Sequence, residues 1–294
     1  MNNLYVQRDF GEKINAVFQY IRQHYRSLLL SLLYIVGPVA VVTAVASSFT
    51  LNNVLRAASD AQTDAGNPYA GLLFMTRLLS PSYWLSLLFG VLTNVAVILT
   101  TYAHLHRTET GQTATVADIW DDMQSQIGRM VVYTILISII TSIGFFCLLL
   151  PGIYIGIVLS IGFAITYFEK AGFGEAWARC LNLIRDNWWA TFGYLLVIVI
   201  IVGILSLVFA LPGGLVGFLS AGKLLPGDGL PIWLIIANII GLIGRSILYS
   251  IIYLAIAFQY GNLVEQHENV SLHSAINSIG TTPTKPRTTD EGDF

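Results

Sequence analysis

Charge is what this sequence has least of. Only 11% of its 294 residues are Asp, Glu, Lys or Arg, against about 25% in an ordinary soluble domain. So few charges cannot clothe a globular surface, which excludes a soluble fold. The net charge of −2 supplies no basic face for nucleic acid, so no nucleic-acid partner is expected. Cysteine is nearly absent. Cys147 and Cys180 make no disulfide framework, and the topology derived below puts Cys147 towards the outer leaflet and Cys180 in a cytoplasmic loop, too far apart to bond. Chemical motifs are missing as well. There is no nucleophile elbow, phosphate-binding glycine loop or metalloprotease histidine pair, and the spaced aspartates and glycines of lipid phosphotransferases are absent. No enzyme and no cofactor is therefore expected. A cleavable signal peptide is not evident, because 26 mostly polar residues precede the first apolar run. That run is expected to be an uncleaved anchor.

What the chain does have is hydrophobic length. It is 55% hydrophobic, and a helix needs about 20 apolar residues to cross a bilayer. Six stretches meet or approach that need: 27–49, 82–102, 130–150, 152–168, 189–211 and 231–258. The first five contain no Asp, Glu, Lys or Arg. The fourth is the shortest, and Leu149-Leu150-Pro151-Gly152 supports it as the far arm of a tight helical hairpin. Pro cannot continue the preceding hydrogen-bond ladder and Gly permits a sharp turn. One long kinked element is the alternative. Pro212, with Gly213 and Gly217, marks an expected helix end. The expected fold is all-α: a polytopic integral membrane protein whose six transmembrane helices form three hairpins, with amphipathic helices at the cytoplasmic interface. Residues 1–26 are then an amphipathic N-terminal segment, 27–258 the six-helix domain, and 259–294 a cytoplasmic tail, disordered from about 280. Within that tail, 263–279 is expected to form a short surface helix.

Lys and Arg in the loops set the orientation. Arg8, Lys13, Arg22, Arg26, Arg107, Arg129, Lys170, Arg179, Arg185, Lys285 and Arg287 fall on one side, against Arg56, Arg77 and Lys223 on the other. That bias places both termini in the cytoplasm. The connection 50–81 is then external, with an interfacial stretch at 69–79.

Segments of the chain repeat. Phe10-Gly11-Glu12 matches Phe173-Gly174-Glu175, and without a gap Ile21-Arg22 matches Ile184-Arg185 and Tyr25 matches Trp188. A weaker third copy begins near Val116, with Asp118, Trp120 and Ile127 where the first has Glu12, Ile14 and Ile21. The repeating unit reads as a surface helix feeding a hairpin of spans. Ala176, Trp177, Cys180, Leu181 and Ile184 recur at helical spacing, giving an apolar face suited to the headgroup region. Ordinary polar loops with chance similarity are the alternative.

Leu149-Leu150-Pro151-Gly152-Ile153-Tyr154, Glu169, Glu175-Ala176, Asn187-Trp188-Trp189 and Phe192-Gly193 together resemble a family. It is the bacterial six-helix membrane domain found fused to some glycerophosphodiester phosphodiesterases, with its stand-alone relatives. The closing Phe258-Gln259-Tyr260-Gly261-Asn262-Leu263-Val264-Glu265 resembles the ending of relatives from Bacteroidota. The resemblance is best over 116–192 and implies a fold and a location in the bacterial inner membrane. No phosphodiesterase domain is present, so it implies no catalytic residues.

Arg245 is the one charge inside a span. A central arginine costs roughly 2.5 to 3.5 kcal/mol on insertion scales. Asn238, Arg245, Tyr249 and Tyr253 share one helical face, and no span supplies a carboxylate, so these residues with Asn94 form a candidate contact for an anion or a lipid headgroup. A structural arginine hydrogen-bonded within the bundle is the plainer reading. Gly152, Gly156, Ser160 and Ala164 lie four apart and are read as a packing face. His104 and His106 lack further metal ligands and are read as interfacial polar residues. Asp118, Asp121 and Asp122 are read as a solvated face rather than a Mg²⁺ site.

These readings leave three functions, in order: a non-enzymatic structural, accessory or envelope-homeostasis role; a transporter or channel for a small solute or lipid; and a membrane enzyme acting on lipid headgroups. Membrane lipids are the expected partners. A second copy or another membrane protein is left open.

Overall fold

The structure, a computed structural model, describes residues 4–63, 76, 80–147, 149–221 and 230–269. The interfacial stretch expected at 69–79, apart from Thr76, the part of the surface helix expected at 263–279 that lies beyond 269, and the tail from 280 lie outside them. Among the described residues the regular structure is all helical. Six helices are long and apolar enough to cross a membrane: Phe10–Val54, Pro81–Glu109, Ile127–Phe146, Leu149–Phe168, Trp188–Leu219 and Ile232–Glu268. By length and composition the chain is a multi-pass membrane protein.

The first of these is one unbroken rod. α1 (Phe10–Ser31) passes through a π-helical turn (Leu32–Val36) into α2 (Gly37–Thr63). The turn has a local cause. Pro38 has no N–H to give to the carbonyl four residues back, and the Gly37 N–H donates instead to the Leu32 carbonyl, five residues away. The amphipathic start therefore does not lie apart from its span as a separate surface helix. Lys13, Ala16, Val17 and Tyr20 are buried in it.

The other helices among the described residues are α3 (Pro81–Glu109), α4 (Val116–Gln124), α5 (Ile127–Cys147), α6 (Leu149–Ser160), α7 (Gly162–Phe168), α8 (Phe173–Ile184), α9 (Trp188–Ala221) and α10 (Leu230–Glu268). α2 packs along α3, α5 along α6, and α9 along α10. The α5–α6 approach depends on two glycines. A Cβ on Gly144 would meet the Gly152 Cα at 3.0 Å, and one on Gly152 would fall 2.6 Å from the Phe145 nitrogen. Pro212 does not end α9, which runs on to Ala221; the proline removes one rung of the ladder and the flanking turns hold.

α10 is the hub, packing on α1, α2, α3, α7, α8 and α9. Its 39 residues span about 58 Å at 1.5 Å per residue, well beyond a hydrocarbon core of about 30 Å. The helix consequently does not stop where the apolar run stops at Phe258. It carries Phe258 through Val264 fully buried into a knot of polar contacts. We call this the charged end of the bundle. α4 packs there on α3, α1 and the π turn, and α8 packs there on α6, α7 and α10.

The helices α1, α4 and α8 begin alike. In each, the acidic third residue accepts a hydrogen bond from the backbone N–H that precedes the helix: Asp9 N to Glu12 at 3.1 Å, Thr115 N to Asp118 at 3.3 Å and Gly172 N to Glu175 at 3.0 Å. Each buries its fourth and eighth residues, which are Lys13 and Val17, Ile119 and Met123, and Ala176 and Cys180. In α8 the buried stripe ends on Leu183 and Ile184, while Leu181 is exposed.

Candidate functional site

The five residues singled out from sequence do not converge. Asn238 faces α2, where its Nδ2 lies 3.0 Å from the Ala44 carbonyl, 2.8 Å from Ser47 Oγ and 3.0 Å from Ser48 Oγ. Arg245 is half-buried and donates from Nε to the Gly241 carbonyl of its own helix at 3.1 Å. Among the described residues it makes no ion pair. Tyr249 is exposed. Only Asn94 and Tyr253 meet: the Asn94 Nδ2 donates to the Tyr253 hydroxyl at 2.8 Å. The reason is the reach of α10. From Asn238 to Tyr253 the helix rises about 22 Å and passes different neighbours at each level.

Asn94 and Tyr253 belong to a cleft of about 650 Å³ bounded by α3, α5, α6, α7 and α10. Ser138, Thr141 and Ser142 of α5 and Ser160 of α6 line it opposite them. Its rim residues Leu87, Ser142 and Phe145 are exposed, so it opens on the side of the bundle, within the spans. No lining residue carries a charge. Ser138 and Ser160 donate to carbonyls of their own helices, at 2.6 and 2.7 Å, which leaves their oxygen lone pairs facing the cleft. Thr141 Oγ1 is buried and has no hydrogen-bond partner among the described residues. The carboxamide of Asn94 gives one N–H to Tyr253, and its oxygen accepts nothing from the described residues. Of this wall, sequence reasoning picked out Asn94, Tyr253, Gly156 and Ser160. The hydroxyl residues of α5 gave no signal, since isolated Ser and Thr are common in spans and usually bond back to their own helix.

The charged end is tied internally. Lys13 Nζ donates to Gln259 Oε1 at 3.0 Å and lies 5.4 Å from the centre of the Tyr194 ring; Gln259 Nε2 in turn donates to Thr191 Oγ1 at 2.8 Å. The Tyr260 hydroxyl donates to Glu169 at 2.9 Å, and Arg179 bridges Glu169 and Glu268. The Arg8 N–H donates to Asn262 Oδ1 at 2.8 Å. Gly261 is pressed against the N-terminal segment, where a Cβ would lie 2.3 Å from the Leu4 carbonyl oxygen. The closing motif of the sequence is thus the clamp on the N-terminus.

Two further readings change. His104 is fully buried within the bundle rather than exposed on its surface. Its Nδ1 is 2.6 Å from the Tyr20 hydroxyl and its Nε2 is 2.8 Å from Ser27 Oγ, so both ring nitrogens are taken and lash α3 to α1. Asp122 pairs with Arg107 through both carboxylate oxygens, and Asp118 lies 3.6 Å from the same guanidinium. These aspartates dock α4 on α3. Among the described residues no group of three or more His, Cys, Asp and Glu is placed to hold a metal ion. Cys180 is buried beneath α8, and burial pushes its thiol up to about 12.

The lateral cleft accordingly offers unused hydrogen-bonding groups in a space that a ligand could fill. No family model, no curated protein and no solved structure matches this chain.

Proposed function

We propose that this chain is a non-enzymatic inner-membrane protein with an accessory or envelope-homeostasis role, and that it holds a membrane lipid in the lateral cleft. The observation that carries the reading is the cleft itself. Its volume of about 650 Å³ lies in the range of ligand sites. It opens sideways at the depth of the spans, as a lipid's route requires, and it offers hydroxyls and an amide without a charge. No nucleophile–base pair lines it, which favours binding over chemistry.

The charged end is read as cytoplasmic on the Lys and Arg bias of the loops. The three-hairpin repeat is part of the same proposal. Its support is the matched starts of α1, α4 and α8, where residues aligned by sequence alone make the same hydrogen bond and bury the same positions. Kinship with the six-helix membrane domain rests on the motifs quoted above; of these, Gly152 and Glu169 sit at close contacts between helices.

Native mass spectrometry of the full chain in gentle detergent tests the lipid reading. Gly90 lines the cleft, and a Cβ there meets nothing within 4 Å, so Gly90→Phe should fill the space without disturbing the fold. Wild type should retain a lipid that the variant loses at unchanged thermal stability. A wild type without lipid, or a variant that keeps it, would sink the proposal.

A further inference from the structure

We infer that the lipid group received by this cleft is uncharged: the hydroxyl and carbonyl end of a neutral glycerolipid of the diacylglycerol type, not a phosphate-bearing headgroup. The inference rests on the lipid reading of the cleft and narrows it.

The first argument is charge. A phosphate taken below the membrane surface needs a cation, because an unpaired ion in a medium of low dielectric is strongly disfavoured. The cleft offers none. Arg245, the cation within a span, is not among its lining residues, and its Nε is engaged with the Gly241 carbonyl. A neutral group needs only complementary hydrogen bonds.

The second argument is those hydrogen bonds. In α5, Thr134 and Ser138 satisfy their hydroxyls on carbonyls four residues back, at 2.8 and 2.6 Å. Thr141 sits on the same helix and does not, although its oxygen is buried. A buried polar atom without a partner among the described residues calls for an explanation; Thr divides between two χ1 rotamers in a helix, and a ligand acceptor such as an ester carbonyl would draw the hydroxyl round into the cleft. Ser142 at the rim adds a second hydroxyl to the lining. Across the cleft the Asn94 Oδ1 stands ready to accept, which suits the glycerol O–H that a diacylglycerol carries at the position where a phospholipid carries its charged phosphate. The lining thus matches a group that both gives and takes hydrogen bonds.

The third argument is depth. Asn94 lies twelve residues inside the expected start of its span, about 18 Å along the helix, near the middle of a hydrocarbon core of about 30 Å. Phospholipid headgroups stay at the surface. A lipid without a charged head enters the core freely and brings its polar end to this level, with its chains against Leu87, Phe145 and Phe163.

The test uses the full chain in lipid nanodiscs and two photoreactive probes with the same diazirine-bearing acyl chain, one a diacylglycerol and the other a phosphatidylglycerol. Labelled peptides are identified by mass spectrometry. The diacylglycerol probe should label α3 and α5, and unlabelled diacylglycerol should compete about tenfold better than phosphatidylglycerol. Thr141→Val and Asn94→Leu should each lower this labelling by about five- to tenfold, the effect of one lost buried hydrogen bond. Thr141→Ser, which restores the hydroxyl, should recover it. A melting temperature for every variant separates loss of binding from loss of fold. Equal labelling by both probes that Gly90→Phe abolishes would overturn the neutral preference while leaving lipid binding standing. Labelling that neither polar variant changes would overturn it too. If neither probe labels the cleft in wild type, the lipid reading itself fails.

Discussion

Lys13 and Gln259, 246 residues apart, meet at 3.0 Å where the first helix crosses the last. The lysine is buried and has no carboxylate at this contact; its acceptor is a neutral amide whose nitrogen is spent on Thr191. Gln259→Leu should leave a buried ammonium without its acceptor and destabilise the protein by about 2 to 3 kcal/mol. Lys13→Met with Gln259→Leu removes both partners and should cost less than Gln259→Leu alone. Thermal unfolding in detergent reads the difference. A double variant that melts below Gln259→Leu would refute the pairing.

The clamp at Gly261 makes a second prediction. Alanine there brings a Cβ to 2.3 Å from the Leu4 carbonyl oxygen, a backbone atom that cannot turn aside. The segment holding Leu4, Tyr5 and Arg8 should lift away, and tryptic cleavage after Arg8 should speed up several-fold while the helical core melts as before. Unchanged cleavage would show that the segment is not held there.

Cys180 should be inert in the folded protein. Its thiol is buried and held up at about 12, against about 8.5 when unfolded. In a Cys147→Ser background, maleimide should label Cys180 slowly at pH 8 and rapidly after denaturation. The same shift sets a pH dependence. Between pH 8.5 and 12 the unfolded thiol ionises and the folded one does not, so stability falls as pH rises through that window, by up to roughly 1.4 kcal/mol per pH unit. Cys180→Ala should make the fall in stability over this window shallower by that contribution. Fast native labelling would contradict the burial.

Arg245→Leu should be tolerated. The side chain bonds only its own helix among the described residues, and its removal relieves an insertion penalty of roughly 2.5 to 3.5 kcal/mol. Folded yield, measured by size-exclusion chromatography in detergent, should hold or rise, and the melting point should change by less than about 1 kcal/mol equivalent. A collapse in yield would point to a partner for the guanidinium.

Gly152 shows how far sequence patterns reach. The four-residue spacing of Gly152, Gly156, Ser160 and Ala164 was enough to expect close packing of that helix, and Gly152 indeed lies against the Phe145 backbone. The same spacing says nothing of Ser160's second neighbour, the cleft. Asn94 and Tyr253 were both legible as polar residues inside spans, and they do meet. Asn238 and Arg245 were equally legible and do not join them, because a helical face carries no information about which neighbour stands beside it at each level. His104 was legible as a polar residue near a span's end, and only the structure shows Tyr20 and Ser27 covering it from another helix.

The sequence by itself determined that the chain has six helices able to cross a membrane and where most of them lie. Hydrocarbon selects for runs of about 20 apolar residues, and a run is a local property that any window along the chain can register. Only the tertiary structure decided that α1 is continuous with its span and that Phe258–Val264 is a buried hub. It also decided that uncharged hydroxyls, not Arg245, line the open cleft. Those outcomes depend on which side chains from distant helices satisfy one another where water is scarce. That is a property of pairs, and the order of residues along one strand of the chain does not contain it.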